Sequence, residues 1–131
     1  MQLFQNTAVL RGFLAKDAEV PSSDRIRNDS FAVLLLATVS GVWDLPANEW
    51  RPRTDWHRVV CPGPYFCGLV RGMKRGDYLE IEGELREQEQ NKSVVIAGER
   101  FSVKQSEYAV HAIRITRLDR LDALVDYGED G

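Results

Sequence analysis

The sequence predicts an all-β protein whose five strands close into a small barrel, with one short helix between the third and fourth strands. Three observations lead there. Apolar and polar residues alternate in several short stretches, the pattern of half-buried strands. Only one stretch, 64–73, repeats its apolar residues at helical spacing. Gly12 and Gly83 interrupt two otherwise strong strand patterns, as expected where barrel strands bend sharply.

Taken in order, Ala8, Leu10, Gly12 and Leu14 alternate with Val9, Arg11 and Phe13 and predict a first strand with one small buried face. Asp17 to Asn28 is polar, holds Pro-Ser-Ser-Asp and reads as a connection. Ser30 to Val39 is an apolar run, expected to be a central strand covered on both faces. Gly41 to Arg53 contains Pro46, Asn48 and Pro52 and reads as a long loop. Thr54 to Val60 alternates again, with Trp56 and Arg58 on one face and His57 and Val59 on the other. The helix is expected over Pro64 to Met73, burying Tyr65, Phe66, Leu69, Val70 and Met73 and stopping at Lys74-Arg75-Gly76. Leu79, Ile81, Gly83 and Leu85 form the inner face of a fourth strand, and Glu80, Glu82 and Glu84 a solvated outer row. Residues 86–92 read as polar loop, with Val94 to Ala97 and Phe101 to Val103 as arms of an extended hairpin loop. Tyr108 to Leu118 is the last strand.

This order is that of the five-stranded Greek-key barrel called the OB-fold. An open sheet with a helix on one face is the alternative. The 131 residues suit one domain, 1–118, with a short acidic tail, 119–131. The net charge is −3, but the tail alone accounts for −4 and leaves +1 for the body. Whole-chain charge therefore does not decide the partner. The longest apolar run, Phe31 to Ala37, is too short to span a bilayer, and no secretory signal opens the chain. A cytoplasmic protein is expected. Cys61 and Cys67 flank Pro-Gly-Pro with only His57 nearby, too few ligands for zinc, and read as reduced thiols.

No catalytic constellation stands out. His57 and His111 lie inside strands without a Ser or Cys at a recognisable spacing, and there is no glycine-rich phosphate loop. No enzyme activity, metal or cofactor is expected. The aromatic and basic residues say more. Trp43, Trp50 and Trp56 fall close together, interleaved with Arg51, Arg53 and Arg58. Indole faces stack on unpaired bases and guanidinium groups hold phosphates, which is how single-stranded nucleic acid is bound without sequence preference. Such tryptophans can equally close a barrel mouth or anchor an oligomer interface.

The chain resembles the bacterial single-stranded DNA-binding proteins. The resemblance is carried by Asn6 to Leu14, Asp17 to Val20, Phe31 to Thr38, Thr54-Asp55-Trp56-His57-Arg58-Val59-Val60, Lys74-Arg75-Gly76-Asp77 and Ile81-Glu82-Gly83-Glu84-Leu85, in matching order and spacing. It implies an OB-fold that assembles as a homotetramer, less often a dimer, and wraps single-stranded DNA in replication, repair or recombination. Trp56 matches a stacking tryptophan, Arg58 a basic residue beside it, and Trp43 lies within one position of a second stacking tryptophan. His57 matches a residue at the subunit interface, and Arg86 follows the fourth strand where basic residues are usual.

The departures also count. After Arg86 the chain runs Glu87-Gln88-Glu89-Gln90, where the family continues with basic residues and a tryptophan. Pro62 stands where a stacking phenylalanine is common in the family; Tyr65 or Phe66 could substitute for it, but both also fit the helix's buried face, the preferred reading. The family's long linker and apolar acidic tip are absent, so recruitment of replication or repair proteins by that tip is doubtful. The expected DNA-binding residues are Trp56, Trp43, Arg58, Arg53, Arg51, Arg86, Trp50 and Arg11, Arg11 only because it faces outward. Binding is expected to be weaker, or of shorter footprint, than in typical members. The rival reading is an oligomeric interaction or scaffold module of the same fold with weak or no DNA binding. RNA is a third possible partner.

Overall fold

The computed structural model describes residues 3–118, and the acidic tail lies outside them. The strands are β1 (Ala8–Leu14), β2 (Phe31–Asp44), β3 (Glu49–Pro62), β4 (Tyr78–Ile96) and β5 (Glu99–Arg117), with helix α1 (Gly63–Val70) between β3 and β4. They close in the order β1-β2-β3-β5-β4, an OB-fold barrel. The β3–β5 pair is parallel and short, joining Val59 to Val110 and Val60 to His111. The other pairs are antiparallel.

The two strand glycines make that closure possible. A Cβ on Gly12 would stand 2.1 Å from the Ala37 carbonyl oxygen, and one on Gly83 would stand 2.2 Å from that of His111. Gly83 also lies at the β4–β5 bulge, where the register shifts and Ile113 is the extra residue. Neighbouring strands thus pass closest where there is no side chain.

Leu14, Leu34, Leu36, Val59, Cys61, Leu79, Ile81 and Val110 fill the interior, and Cys67, Val70 and Met73 seal it from the helical end. The β2 run is buried on its inner face, while Val33 and Leu35 on the outer face are only half-buried. The helix ends earlier than expected. Gly72, at φ 90°, takes the left-handed position that stops it, and Gly76, at φ 94°, turns the chain into β4. Tyr65, expected in the core, is 75% exposed, because the single helical turn that meets the barrel carries Cys67 and Val70 instead.

Two stretches expected to be loops are strand. Residues 41–53 form the tip of the β2–β3 hairpin, paired without interruption from Phe31↔Pro62 to Asp44↔Glu49. The turn is only Leu45 to Asn48. Asn48 takes φ 53°, and the Ala47 N–H donates to Asp44 Oδ1 at 3.3 Å. Pro52 is tolerated because β3 meets β5 only at Val59 and Val60, which leaves one edge around Pro52 unpaired. Residues 86–92 likewise continue β4, which pairs with β5 out to Ile96↔Glu99. Local polarity hid both ribbons, since arms that project from a barrel have no buried face to mark them.

Candidate nucleic-acid interface

Strand alternation and register decide which side chains share a surface. In the β2–β3 hairpin, Leu34↔Val59 and Ala32↔Cys61 point into the core. The opposite face therefore carries Leu35↔Arg58, Ala37↔Trp56, Val39↔Thr54, Gly41↔Pro52 and Trp43↔Trp50. All three tryptophans and Arg58 lie on this one face. Trp56 is 61% exposed, Trp50 67% and Trp43 43%. Trp43 and Trp50 meet edge to face with ring centroids 5.5 Å apart. Gly41 admits the Trp50 ring, since a Cβ there would stand 3.1 Å from its Cε3 atom. From that pair to Trp56 the strip runs about 20 Å, six residues of strand.

The arginines divide. Arg51 and Arg53 point to the opposite face of the hairpin from the tryptophans. Each is already engaged, Arg51 Nε with Asp44 at 2.5 Å and Arg53 Nε with Asp55 at 3.2 Å. Arg11, on the outer face of β1, pairs with Glu80 at 3.0 Å, and the hydrogen bond and charge of Glu80 hold its guanidinium above its ordinary pKa. Arg58 differs. Its Nη1 donates to the neutral Gln88 Oε1 at 3.1 Å, across the outer face of β5. Ala109 lies beneath that path and is buried, a small residue where a longer one would block it. Arg86 has only a stretched pair with Glu84 at 3.9 Å.

The acidic row therefore has two aspects. Glu80 and Glu82 are partnered by Arg11 and Arg114, as a solvated exterior row should be. Glu87 and Glu89 fall on the ribbon face opposite Arg86 and Gln88, so they do not stand beside Arg58. Sequence reading missed Gln88 and His111. Gln88 looked like part of an acidic loop. His111 sits opposite Glu84 in register, and its Nε2 is buried without a hydrogen-bond partner among the described residues. Burial, then the charges of Arg86 and Arg58, hold its pKa below the usual imidazole value, with Glu84 pulling the other way.

His57 is half-buried on the inner-facing side of β3, its Nε2 2.8 Å from Thr38 Oγ1. The Lys-Arg-Gly-Asp stretch is a turn. The Lys74 N–H donates to Asp77 Oδ2 and the Arg75 N–H to Asp17 Oδ1, each at 2.9 Å. Both cysteines are free and fully buried, and burial together with its neighbour Cys67 pushes the Cys61 thiol up to about 12. Among the described residues no three His, Cys, Asp or Glu side chains gather as metal ligands would. Nor is any helix there long and apolar enough to cross a membrane.

No family model matches the sequence. Solved structures do match the architecture. A Plasmodium falciparum SSB, solved in complex with ssDNA, aligns with a TM-score of 0.66 at 19% identity, over 91% of this chain and 99% of its own. The chain has the fold of the single-stranded DNA-binding proteins. A small single-stranded DNA-binding protein from Streptomyces coelicolor shares it with a TM-score of 0.56 at 16% identity, over 88% of this chain and 95% of its own. A deletion mutant of the single-stranded DNA-binding protein from Thermus aquaticus gives 0.62 at 22% identity over 88% of this chain, which spans 51% of that longer protein.

Proposed function

We propose that this chain is a divergent member of the single-stranded DNA-binding family and binds single-stranded DNA without sequence preference, as a binding protein and not an enzyme. One observation carries the reading. Three exposed indoles and Arg58 share one face of a single hairpin. In this reading Trp56, Trp43 and Trp50 stack on bases, Arg58 holds the phosphate beside Trp56, and Arg86 extends the cationic row along β4. Arg53, Arg51 and Arg11 contribute only where a phosphate displaces their carboxylates. The ion pairs at these three arginines support weaker binding, or a shorter footprint, than in typical members. The proposal includes assembly as a homotetramer, with a dimer as the smaller alternative and His57 at the subunit interface. It places the protein in the cytoplasm with the nucleoid, acting in replication, repair or recombination.

Titration with oligo-dT at two salt concentrations, followed by tryptophan fluorescence, tests it. Stacking is expected to quench the indole emission, with an affinity that falls as salt rises. Matched RNA, expected to compete less well, measures the preference for DNA. An emission unchanged at every salt concentration refutes the reading. The scaffold alternative then takes its place, favoured by the carboxylates that already occupy Arg11, Arg51 and Arg53.

A further inference from the structure

The outer wall of the barrel holds one group that stacking and simple ion pairing leave unexplained. His111 lies on β5 between β3 and β4, paired with Val60 on one side and Glu84 on the other. Its Nε2 is buried and has no hydrogen-bond partner among the described residues. A buried polar atom without a partner is unfavourable, so such an atom on the outer wall of the barrel calls for a ligand. Its surroundings point to an anion. From β3 comes Arg58, whose guanidinium donates to the neutral Gln88. From β4 come Arg86 and Glu84, themselves 3.9 Å apart. On β5 the neighbouring outer residues, Ala109 and Ile113, are apolar. Further charges near Arg58 are Glu19, which is held by Lys16, and Glu107, which lies opposite Gln88 on β5 and pairs with Lys92 at 3.8 Å. Two guanidinium groups thus flank one imidazole with a single carboxylate among them. Elsewhere the arginines of this face of the molecule have tighter acidic partners.

We propose that Arg58, Arg86 and His111 form one phosphate subsite, and that a phosphate bound there takes up a proton from solvent onto the His111 imidazole. The inference rests on the DNA-binding reading for its physiological ligand, a backbone phosphate of the strand that stacks on Trp56. The free site disfavours the imidazolium, first because it is buried and then because the two arginines repel it. A phosphodiester among the three groups offsets the net positive charge that Arg58, Arg86 and Glu84 leave there. The protonated form then binds the anion more tightly, so affinity rises as the pH falls through the range between the free and the bound titration of His111.

The test has two arms. In the first, oligo-dT affinity is measured from pH 8 to pH 5.5 for the wild type and for His111→Gln. The wild type is expected to gain about tenfold more than the variant, the gain that corresponds to a bound-state titration one unit higher. In the second arm, NMR follows both imidazoles of the wild type against pH, with and without inorganic pyrophosphate; His57→Gln and His111→Gln assign the signals. Pyrophosphate is expected to move the His111 titration upward and leave that of His57 in place. A His111 titration blind to pyrophosphate, with the same pH dependence of oligo-dT binding in wild type and variant, overturns the subsite. Failure of oligo-dT to bind at any pH, with the pyrophosphate response intact, keeps the subsite and removes the DNA-binding reading. The second arm titrates the wild-type protein, and with two imidazoles either variant alone assigns both signals.

Discussion

Two ribbons leave the same barrel and differ in what they carry. The β2–β3 hairpin presents Trp43, Trp50 and Trp56 on one face, with Arg51 and Arg53 held by acids on the other. The β4–β5 ribbon is longer, running from Glu84↔His111 to Ile96↔Glu99, and has no tryptophan. Its positive residues, Arg86, Lys92, Arg100 and Lys104, are outnumbered by Glu84, Glu87, Glu89, Glu99 and Glu107. Its tip is aliphatic with one aromatic, Phe101, set opposite Val94. Equal backbone geometry thus supports one surface suited to flat bases and another that lacks the means to hold a polyanion along its length. The lesson is that projection from the barrel does not by itself make a binding arm. Which residue types alternate onto the outer face does.

The sharpest way to break this contrast is to truncate one aromatic on each ribbon. Trp56→Ala is expected to weaken oligo-dT binding by about 1–3 kcal/mol, roughly 5- to 150-fold, because one stacking platform is lost beside Arg58. Phe101→Ala should change affinity far less, since Phe101 faces Val94 at the ribbon tip. Fluorescence of the remaining tryptophans, or anisotropy of a labelled oligo-dT, measures both. Equal losses at the two positions would mean that the strand runs along both ribbons and that the contrast is false.

A charge experiment sharpens the same comparison at smaller amplitude. Gln90 lies on the ribbon face that carries Arg86 and Gln88, and Glu87 lies on the other. Gln90→Lys is expected to steepen the log–log salt dependence by about 0.7, one added phosphate contact. Glu87→Lys changes charge by two units, yet on the wrong face it should move the slope less. The salt series decides whether face or net charge governs binding. A larger effect at Glu87 would favour net charge.

The same face logic shows what was legible in the sequence. The barrel was, because its strands have one apolar and one polar side and its bends leave glycines at Gly12 and Gly83, where backbone oxygens come within 2.1 and 2.2 Å of a built Cβ. The stacking residues were too, as residue types. The sharing of one face by Trp43, Trp50, Trp56 and Arg58 was not, because it depends on an unbroken register through residues 41–53, which looked like loop. Nor was the separation of Arg51 and Arg53 from the indoles, since neighbours in sequence on a strand point to opposite sides. His111 was read as a strand residue and nothing more. Its setting arises from β3 and β4, distant in sequence, closing on either side of β5.

The turns complete the comparison, with the smallest expected effect. Each ribbon turns through a non-glycine residue at positive φ, Asn48 at 53° and Ala97 at 54°. Asparagine tolerates that conformation, whereas alanine crowds its Cβ against the carbonyl, at a cost of roughly 1–2 kcal/mol. The loop Ala97-Gly98, with both residues at positive φ, is a two-residue hairpin turn whose preferred sequence is Asn-Gly. Ala97→Asn is therefore expected to stabilise the β4–β5 tip by about 1 kcal/mol. Amide hydrogen exchange at Val94 and Phe101 reads the local gain, and the urea midpoint reads any share passed on to the barrel. Slower exchange at the tip with an unchanged midpoint would show that the β4–β5 arm opens on its own. If exchange at the tip is unchanged, the turn is not what limits this ribbon, and the difference between the two arms lies in their side-chain faces alone.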